Sequence, residues 1–350
     1  MSKQSPTRDY QYKNRRDIKI RIDSKLFGNS EIDPSSRWGS FVVLLNSNEL
    51  LSERLSEPKR DVRLYIDFTE RDFVEEMSRP ATGVKILVLV EPPAVNPFQY
   101  NPAILEHFHK VYSFSQEISS QYGAEYVQFI VPNRKWTEVK EYSRKRPNIG
   151  IIAANKNSFH PKSQYFLRRN YIAKLSESKL SFSFAGPFWE KSRTQEFLDD
   201  LRSIKHSKKM KSTISYRNFR FLGSKPKMLC CLGAVDSKEK YLQSLDVEIC
   251  IENCKGELSE KLFDSLQSNT VPAYIGVKLS DYGIPNEIAL HPPLNPIEST
   301  EYFQSLSWRE IEETRICGQE WWALNKNLWL EDVRMAEFAK LVRCFIESAR

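Results

Sequence analysis

The chain has 350 residues and carries 52 Lys+Arg against 45 Asp+Glu, a formal net charge of +7, and a length that predicts about two domains, each with its own core. Hydrophobic residues at 40% and charged residues at 28% exclude a disordered or fibrous chain. No apolar stretch approaches the ~18 residues of a membrane span, and the N-terminus has no apolar run behind its charges, so the expectation is a cytoplasmic protein without a secretory signal.

Residues 1–17 read as a polar arm. A first α/β domain is expected over 18–145, with buried strands at Val84–Val90 and Tyr126–Val131 and a helix carrying Glu106, His107 and His109 between them. The polar stretch Asn133–Asn148 marks the boundary, and a second α/β domain follows over 146–306. Its strands are expected at Ile149–Ala154, Leu180–Ala185, Val247–Ile251 and Val271–Val277. Between them, Leu167, Tyr171 and Leu175 recur at helical spacing with Ile172 beside them, and Ser259 is placed to cap a helix with Leu262, Phe263 and Leu266 on one face. Residues 307–350 read as a helical segment rich in tryptophan (Trp308, Trp321, Trp322, Trp329), closed by a helix over Leu330–Ala349. Apolar strands alternating with amphipathic helices place the chain in the α/β class, with parallel sheets covered on both faces.

The six cysteines form no disulfide framework, and Cys250 and Cys254 lack a histidine at ligand spacing, so packing is the reading for them and no metal site is expected. From Arg202 to Lys227 there are nine Lys/Arg and no Asp or Glu. A solvated loop, a site for small anions and a nucleic-acid footprint all fit that run, but no nucleic-acid reading module accompanies it. Its role stays open, as does contact with a membrane surface.

The stretch Val247–Gly276 holds most of the chemistry. It reads strand, polar turn, helix, strand, with Glu252-Asn253 at the end of the first strand and Glu260-Lys261 opening the helix. Ligands of α/β proteins bind at the carboxyl ends of parallel strands, and a helix N-terminus suits phosphate. Lys261 can meet a diphosphate and Glu260 the hydroxyls of a ribose. The competing reading is that Glu260 favours the helix dipole and Lys261 faces solvent.

In order and spacing, Lys238, Glu252-Asn253, Gly256, Ser259-Glu260-Lys261 and Val271-Pro272-Ala273-Tyr274-Ile275-Gly276 resemble the donor-binding signature of the α-1,3/4-fucosyltransferases, glycosyltransferase family ten. Two weaker matches lie upstream: Arg169-Asn170, with Arg168 as the adjacent alternative, and Glu91 in the run VKILVLVEPP. The resemblance implies a GT-B architecture of two Rossmann-like domains facing a cleft. It implies inverting transfer of L-fucose from GDP-fucose to a hydroxyl of an oligosaccharide or glycoconjugate, with no cofactor and no catalytic metal. Glu91 would be the general base; Arg169, Lys238, Glu252, Asn253, Glu260 and Lys261 would bind the donor. Helical spacing puts Arg169 on the polar side of its helix, within reach of phosphate. Glu91 ends a strongly apolar strand beside two prolines, which holds a carboxylate rigidly and partly desolvated. The chain departs from the family pattern at Glu257, where an aromatic residue is usual, and at Leu245 and Val247. These departures leave open a transferase of another nucleotide sugar, or a non-catalytic relative that binds glycan or nucleotide.

Overall fold

The computed structural model describes residues 19–23, 61–67, 70, 73–74, 83–131, 146–209, 219–220 and 225–348. The polar arm, most of the boundary stretch Asn133–Asn148 and the middle of the basic run lie outside these residues. The chain divides into two compact units, Met1–Asn133 with Asn327–Arg350, and Arg134–Lys326. Each is an α/β body on a parallel sheet. Among the described residues no helix is long and apolar enough to cross a membrane.

The sheet of the first unit runs β1 (Lys19–Asp23), β2 (Asp61–Ile66), β3 (Val84–Leu89), β4 (Lys110–Ser113) and β5 (Glu125–Tyr126), neighbours in space as in sequence. In β3 every residue but Lys85 is buried, as expected of a strand covered on both faces. Helix α1 (Pro102–Leu105) starts at the Asn101 cap, and α2 (Gln116–Tyr122) starts at Ser115 and stops at Gly123. The expected strand Tyr126–Val131 is cut short, because its partner β4 ends at Ser113 and pairs no further than Tyr126. Phe129, Ile130 and Val131 are buried all the same, so their apolarity lines the core without a ladder. The expected helix around His107 and His109 also ends early, at Leu105. His109 instead accepts a hydrogen bond from the Lys85 amide at the amino end of β3 (3.0 Å).

In the second unit the order is β7 (Ser181–Ala185), β6 (Asn148–Ile152), β8 (Val247–Ile251), β9 (Val271–Ile275), all parallel. Helices α3 (Tyr165–Glu177) and α4 (Arg193–Lys209) flank β7 in sequence, and α5 (Lys238–Gln243) and α6 (Glu260–Gln267) flank β8. One core joins Ile149, Ile151, Tyr171, Ile172, Phe184, Ile249 and Ala273. Pro272 is tolerated because β9 is an edge strand whose outer side meets only an isolated bridge, Ala273 to Leu290. Gly186 turns the chain after β7 at φ 136°, with a Cβ position only 2.2 Å from the Ala153 carbonyl oxygen, so no side chain fits there.

The segment 307–350 is not one body. Helix α7 (Pro296–Ser305) is followed by α8 (Trp308–Asn325), which opens on a capping box of Ser307 and Glu310. Trp322 of α8 packs against Phe263 of α6, and Gln319 donates to the Leu266 carbonyl (2.7 Å). Helix α9 (Glu331–Ser348) belongs to the first unit, where Phe338 meets Tyr112 and Phe114 edge-on.

Candidate functional site

Strand order alone singles out one end of the second sheet. The chain goes from β6 outward to β7, then returns past β6 to β8, so the connections diverge between β6 and β8. In open α/β sheets the carboxyl ends beside such a switch point are where ligands bind. The residues that emerge there are Asn155 after β6 and Glu252-Asn253 after β8.

Glu252 is fully buried and saturated by donors of its own chain. Its carboxylate accepts from Ser259 N (3.0 Å), Ser259 Oγ (2.5 Å), Lys261 Nζ (3.2 Å) and Tyr274 Oη (3.2 Å). The signature is thus a local device: Glu252 ties the end of β8 to the start of α6 and to β9. The glycine that ends the signature has a steric reason as well, since a Cβ on Gly276 would stand 2.3 Å from the Tyr274 hydroxyl and 2.8 Å from Glu252 Cγ. Ser259 does not cap α6 as the sequence suggests; its hydroxyl is turned to Glu252 and makes no cap hydrogen bond to the first-turn amides. Those amides keep the anion-attracting character of a helix N-terminus.

Lys261 does not face solvent; its side chain is 13% exposed and bonded to Glu252 and to Ser259 Oγ (2.9 Å). Burial by itself would lower the Lys261 pKa, but Glu252, Glu260 and Glu257 together raise it above the ordinary lysine value. Glu260 lies on the outer side of the helix start, 36% exposed, 4.0 Å from Lys238 Nζ. Lys238 is held by the buried Asp264 at 2.5 Å, which pins α5 to α6. Behind them lies buried Glu248, hydrogen-bonded by Ser265 and pushed up to about 7 by burial, with Lys238 pulling the other way. Glu257 accepts from the Cys254 amide (3.1 Å), a role local to the turn.

The two adjacent arginines of α3 part company. Arg168 reaches the carboxyl end of β8, where its Nη2 donates to Ile251 O (2.7 Å) and Asn253 Oδ1 (2.8 Å), while its guanidinium lies over the Tyr165 ring. Burial lowers its pKa against the opposing effect of Tyr165 and the surrounding glutamates. Arg169, expected on the polar side of the helix, is 2% exposed and engaged in a two-point pair with Glu196 (2.9 and 3.0 Å) and a bond to Asn155 Oδ1 (2.7 Å). The spacing misleads because α3 is covered on the Arg169 side too, by α4, whose Glu196 supplies the counter-charge. A second buried pair, Arg220 with Asp200 (2.7 Å), continues this network to the Asn155 carbonyl (3.0 Å). Arg169 therefore fixes the loop after β6, and Arg168 is the arginine beside Asn253. Arg168 keeps N–H groups beyond its two bonds, and the Lys261 ammonium keeps one beyond its own. This end of the sheet consequently offers two cations with spare donors and an uncapped helix start.

In the first unit, Glu91 stands two residues past the end of β3, and its backbone is gripped on both sides. Its amide donates to Asp67 (3.0 and 3.1 Å), as does that of Val90 (2.9 Å). Its carbonyl accepts from Gln99 Nε2 (3.0 Å) and Tyr100 Oη (2.7 Å). Asp67 is 2% exposed, in left-handed backbone at φ 48°, and also takes a bond from Gln99 (2.7 Å). Burial pushes its carboxyl up to about 7, although the three donors pull it down. Neither Asp67 nor Gln99 was legible as part of this arrangement; an aspartate closing the run LYI was the one available signal. His109 is at the opposite end of β3, about 20 Å from Glu91 along the strand. Among the described residues no group of three or more His, Cys, Asp or Glu could hold a metal ion.

No protein family matches the chain, and no curated protein matches it. Solved structures do show a likeness of fold. A single-residue mutant of S. aureus TarM in complex with fondaparinux, α-GlcNAc-glycerol and UDP is similar over 79% of this chain at 12% identity with a TM-score of 0.48. The chain spans 55% of that TarM chain. A glycosyltransferase from Rickettsia africae ESF-5 is similar over 91% of this chain and 83% of its own at 11% identity and a TM-score of 0.46. An α1,3-fucosyltransferase with GDP-fucose is similar over 74% and 70% at 13% identity and a TM-score of 0.39. Identities this low carry no residue role from one chain to another.

Proposed function

We propose that this chain is a glycosyltransferase that moves L-fucose from GDP-fucose to a hydroxyl of a glycan acceptor, with inversion at the anomeric carbon. One observation carries the reading. Within the stretch Lys238–Gly276 that resembles the family-ten signature, Glu252, Ser259, Lys261 and Tyr274 are joined by hydrogen bonds at the switch-point end of the second sheet, with Arg168 bonded to Asn253 beside them.

The chemistry follows from those groups. The acceptor oxygen attacks the anomeric carbon, the bond from that carbon to the diphosphate breaks, and GDP departs with the bonding pair. The growing negative charge on the leaving diphosphate is met by the spare donors of Arg168 and Lys261 and by the N-terminal end of α6, which no side chain caps. Glu260, the half-buried carboxylate at the helix start beside Lys238, accepts ribose hydroxyls in this reading. Lys238 and Arg169 act on the donor indirectly, by holding α6 and the loop after β6. In the first unit Glu91 takes the acceptor proton; its backbone is clamped by Asp67, Gln99 and Tyr100, which fixes where its side chain starts.

Glu257 favours one competing donor reading. In place of an aromatic residue it presents a carboxylate bonded to its own turn, so a donor contact made by a ring is missing. The test is a transfer and hydrolysis assay across GDP-fucose, other GDP-sugars and UDP-sugars. Turnover of GDP-fucose alone supports the reading, turnover of a different donor replaces fucose, and nucleotide binding without turnover of any donor removes the enzyme.

A further inference from the structure

The basic run does not simply fade into solvent. It ends at Lys225-Pro226-Lys227 and passes straight into Met228-Leu229-Cys230-Cys231-Leu232, and no Asp or Glu occurs anywhere from Arg202 to Val235. Met228–Cys230 is a single 3-10 turn set against the edge strand β7. Leu229 at its crest is 98% exposed, with Leu232 at 55% and Met228 at 42%. An isolated exposed leucine calls for no explanation, but three large apolar side chains within the stretch Met228–Leu232 do.

That exposure is built, not left over. The turn is closed by Cys230 N to Lys227 O (3.1 Å) and Cys231 N to Met228 O (3.0 Å). It is bolted to the unit by Lys227 N to Ser176 Oγ (2.9 Å), Leu232 N to Phe184 O (2.9 Å) and Gly186 N to Gly233 O (2.7 Å). Cys230 and Cys231 pack on the core, which turns their apolar neighbours outward. Lys225 and Lys227 are exposed beside the crest and make no ion pair among the described residues. An apolar crest that would bury in acyl chains, flanked by Lys225 and Lys227 and with no carboxylate in its own segment, matches a surface that is negative at the headgroups and apolar beneath. A nucleic acid would leave the crest in water.

We propose that the segment Lys225–Leu232, with Leu229 and Leu232 as the inserting side chains and Lys225 and Lys227 as the headgroup contacts, docks this protein onto an anionic lipid surface. The proposal is independent of which sugar is transferred.

The test is co-sedimentation of the full chain with vesicles of phosphatidylcholine alone and of phosphatidylcholine with phosphatidylglycerol. Binding is expected only to the anionic vesicles and falls with salt. Leu229→Ser lowers the partition coefficient by about tenfold, the lower end of full leucine burial. Lys225→Gln with Lys227→Gln lowers it by about 30-fold, each cation near the surface counting for about fivefold, and flattens the salt dependence. Both variants change only exposed side chains and should keep the wild-type thermal transition and nucleotide affinity, which separates this outcome from misfolding. Absence of vesicle binding, equal binding to both vesicle types, or a Leu229→Ser variant that binds anionic vesicles like wild type would each overturn the proposal. Retention by an acidic protein in the absence of any vesicle binding would assign the surface to a protein instead.

Discussion

Removing the carboxylate of Glu196 should cost more stability than almost any other single change in the second unit. Arg169 and Glu196 are 3% and 1% exposed, and they meet through two parallel bonds with Asn155 sharing both partners. Glu196→Ala leaves a guanidinium desolvated and unpaired, which costs about 3–5 kcal/mol. For a unit of about 190 residues each kcal/mol shifts the midpoint by about 2–4 °C, so the transition should fall by about 6–20 °C. Differential scanning calorimetry reads this directly. Replacing both partners by apolar residues, Arg169→Met with Glu196→Leu, should recover most of the loss, because the cost is that of the orphaned charge. The pH dependence adds a second check. Burial alone would raise the Glu196 pKa, but the bonds from Arg169 and Asn155 bring it below the ordinary glutamate value. Stability from this group is therefore complete above the unfolded value near ~4.3 and is lost as pH falls through the lower folded value. The gap between wild type and Glu196→Gln should accordingly close in acid. A Glu196→Ala protein that melts within about 2 °C of wild type would refute the reasoning.

Four further outcomes follow from the site. Lys261→Ala should weaken GDP binding by about 1.5–3 kcal/mol in calorimetry, the range for hydrogen bonds to charged groups; an unchanged affinity would move the diphosphate elsewhere. Glu91→Gln should lower turnover by about 10²–10⁴-fold while GDP affinity holds, as measured in single-donor kinetics with the true acceptor. EDTA should leave transfer intact, since no Asp-x-Asp triplet occurs in the chain to hold a divalent ion against a diphosphate; loss with EDTA and rescue by manganese would contradict this. Asp67, pushed up to about 7 by burial, keeps its proton in the fold where the unfolded chain has already lost it. Stability of the first unit should therefore fall as pH rises from about 4 to 7, and denaturation of Asp67→Asn across that range should show the slope removed.

The sequence by itself determined the four strands of the second unit and the helices α3 and α6 between them. Runs such as Val247–Ile251 and Val271–Ile275 are apolar at nearly every position because both faces of a parallel sheet are covered, and that pattern is written locally. The order Glu252-Asn253, Ser259-Glu260-Lys261 and Tyr274-Ile275-Gly276 was equally legible, since those residues lie within one strand–helix–strand unit. What periodicity could not supply was the identity of the neighbour on each face. Arg169 stands on what would be a solvent face of an isolated helix, and only the packing of α4, 27 residues on, turns it into half of a buried pair. Arg168 acquires its role from Asn253, 85 residues away. The hydroxyl of Ser259 faced a choice between the amides of its own helix and the carboxylate of Glu252, and a buried carboxylate in want of donors is the stronger claimant. In the first unit β2 went unseen because Asp61 and Arg63 interrupt its apolar run, although Arg63 is buried once β1 and β3 flank it. Local sequence encodes which residues avoid water; which charge neutralises which is decided by the strand order that brings distant segments together, and the candidate site is made of such pairs.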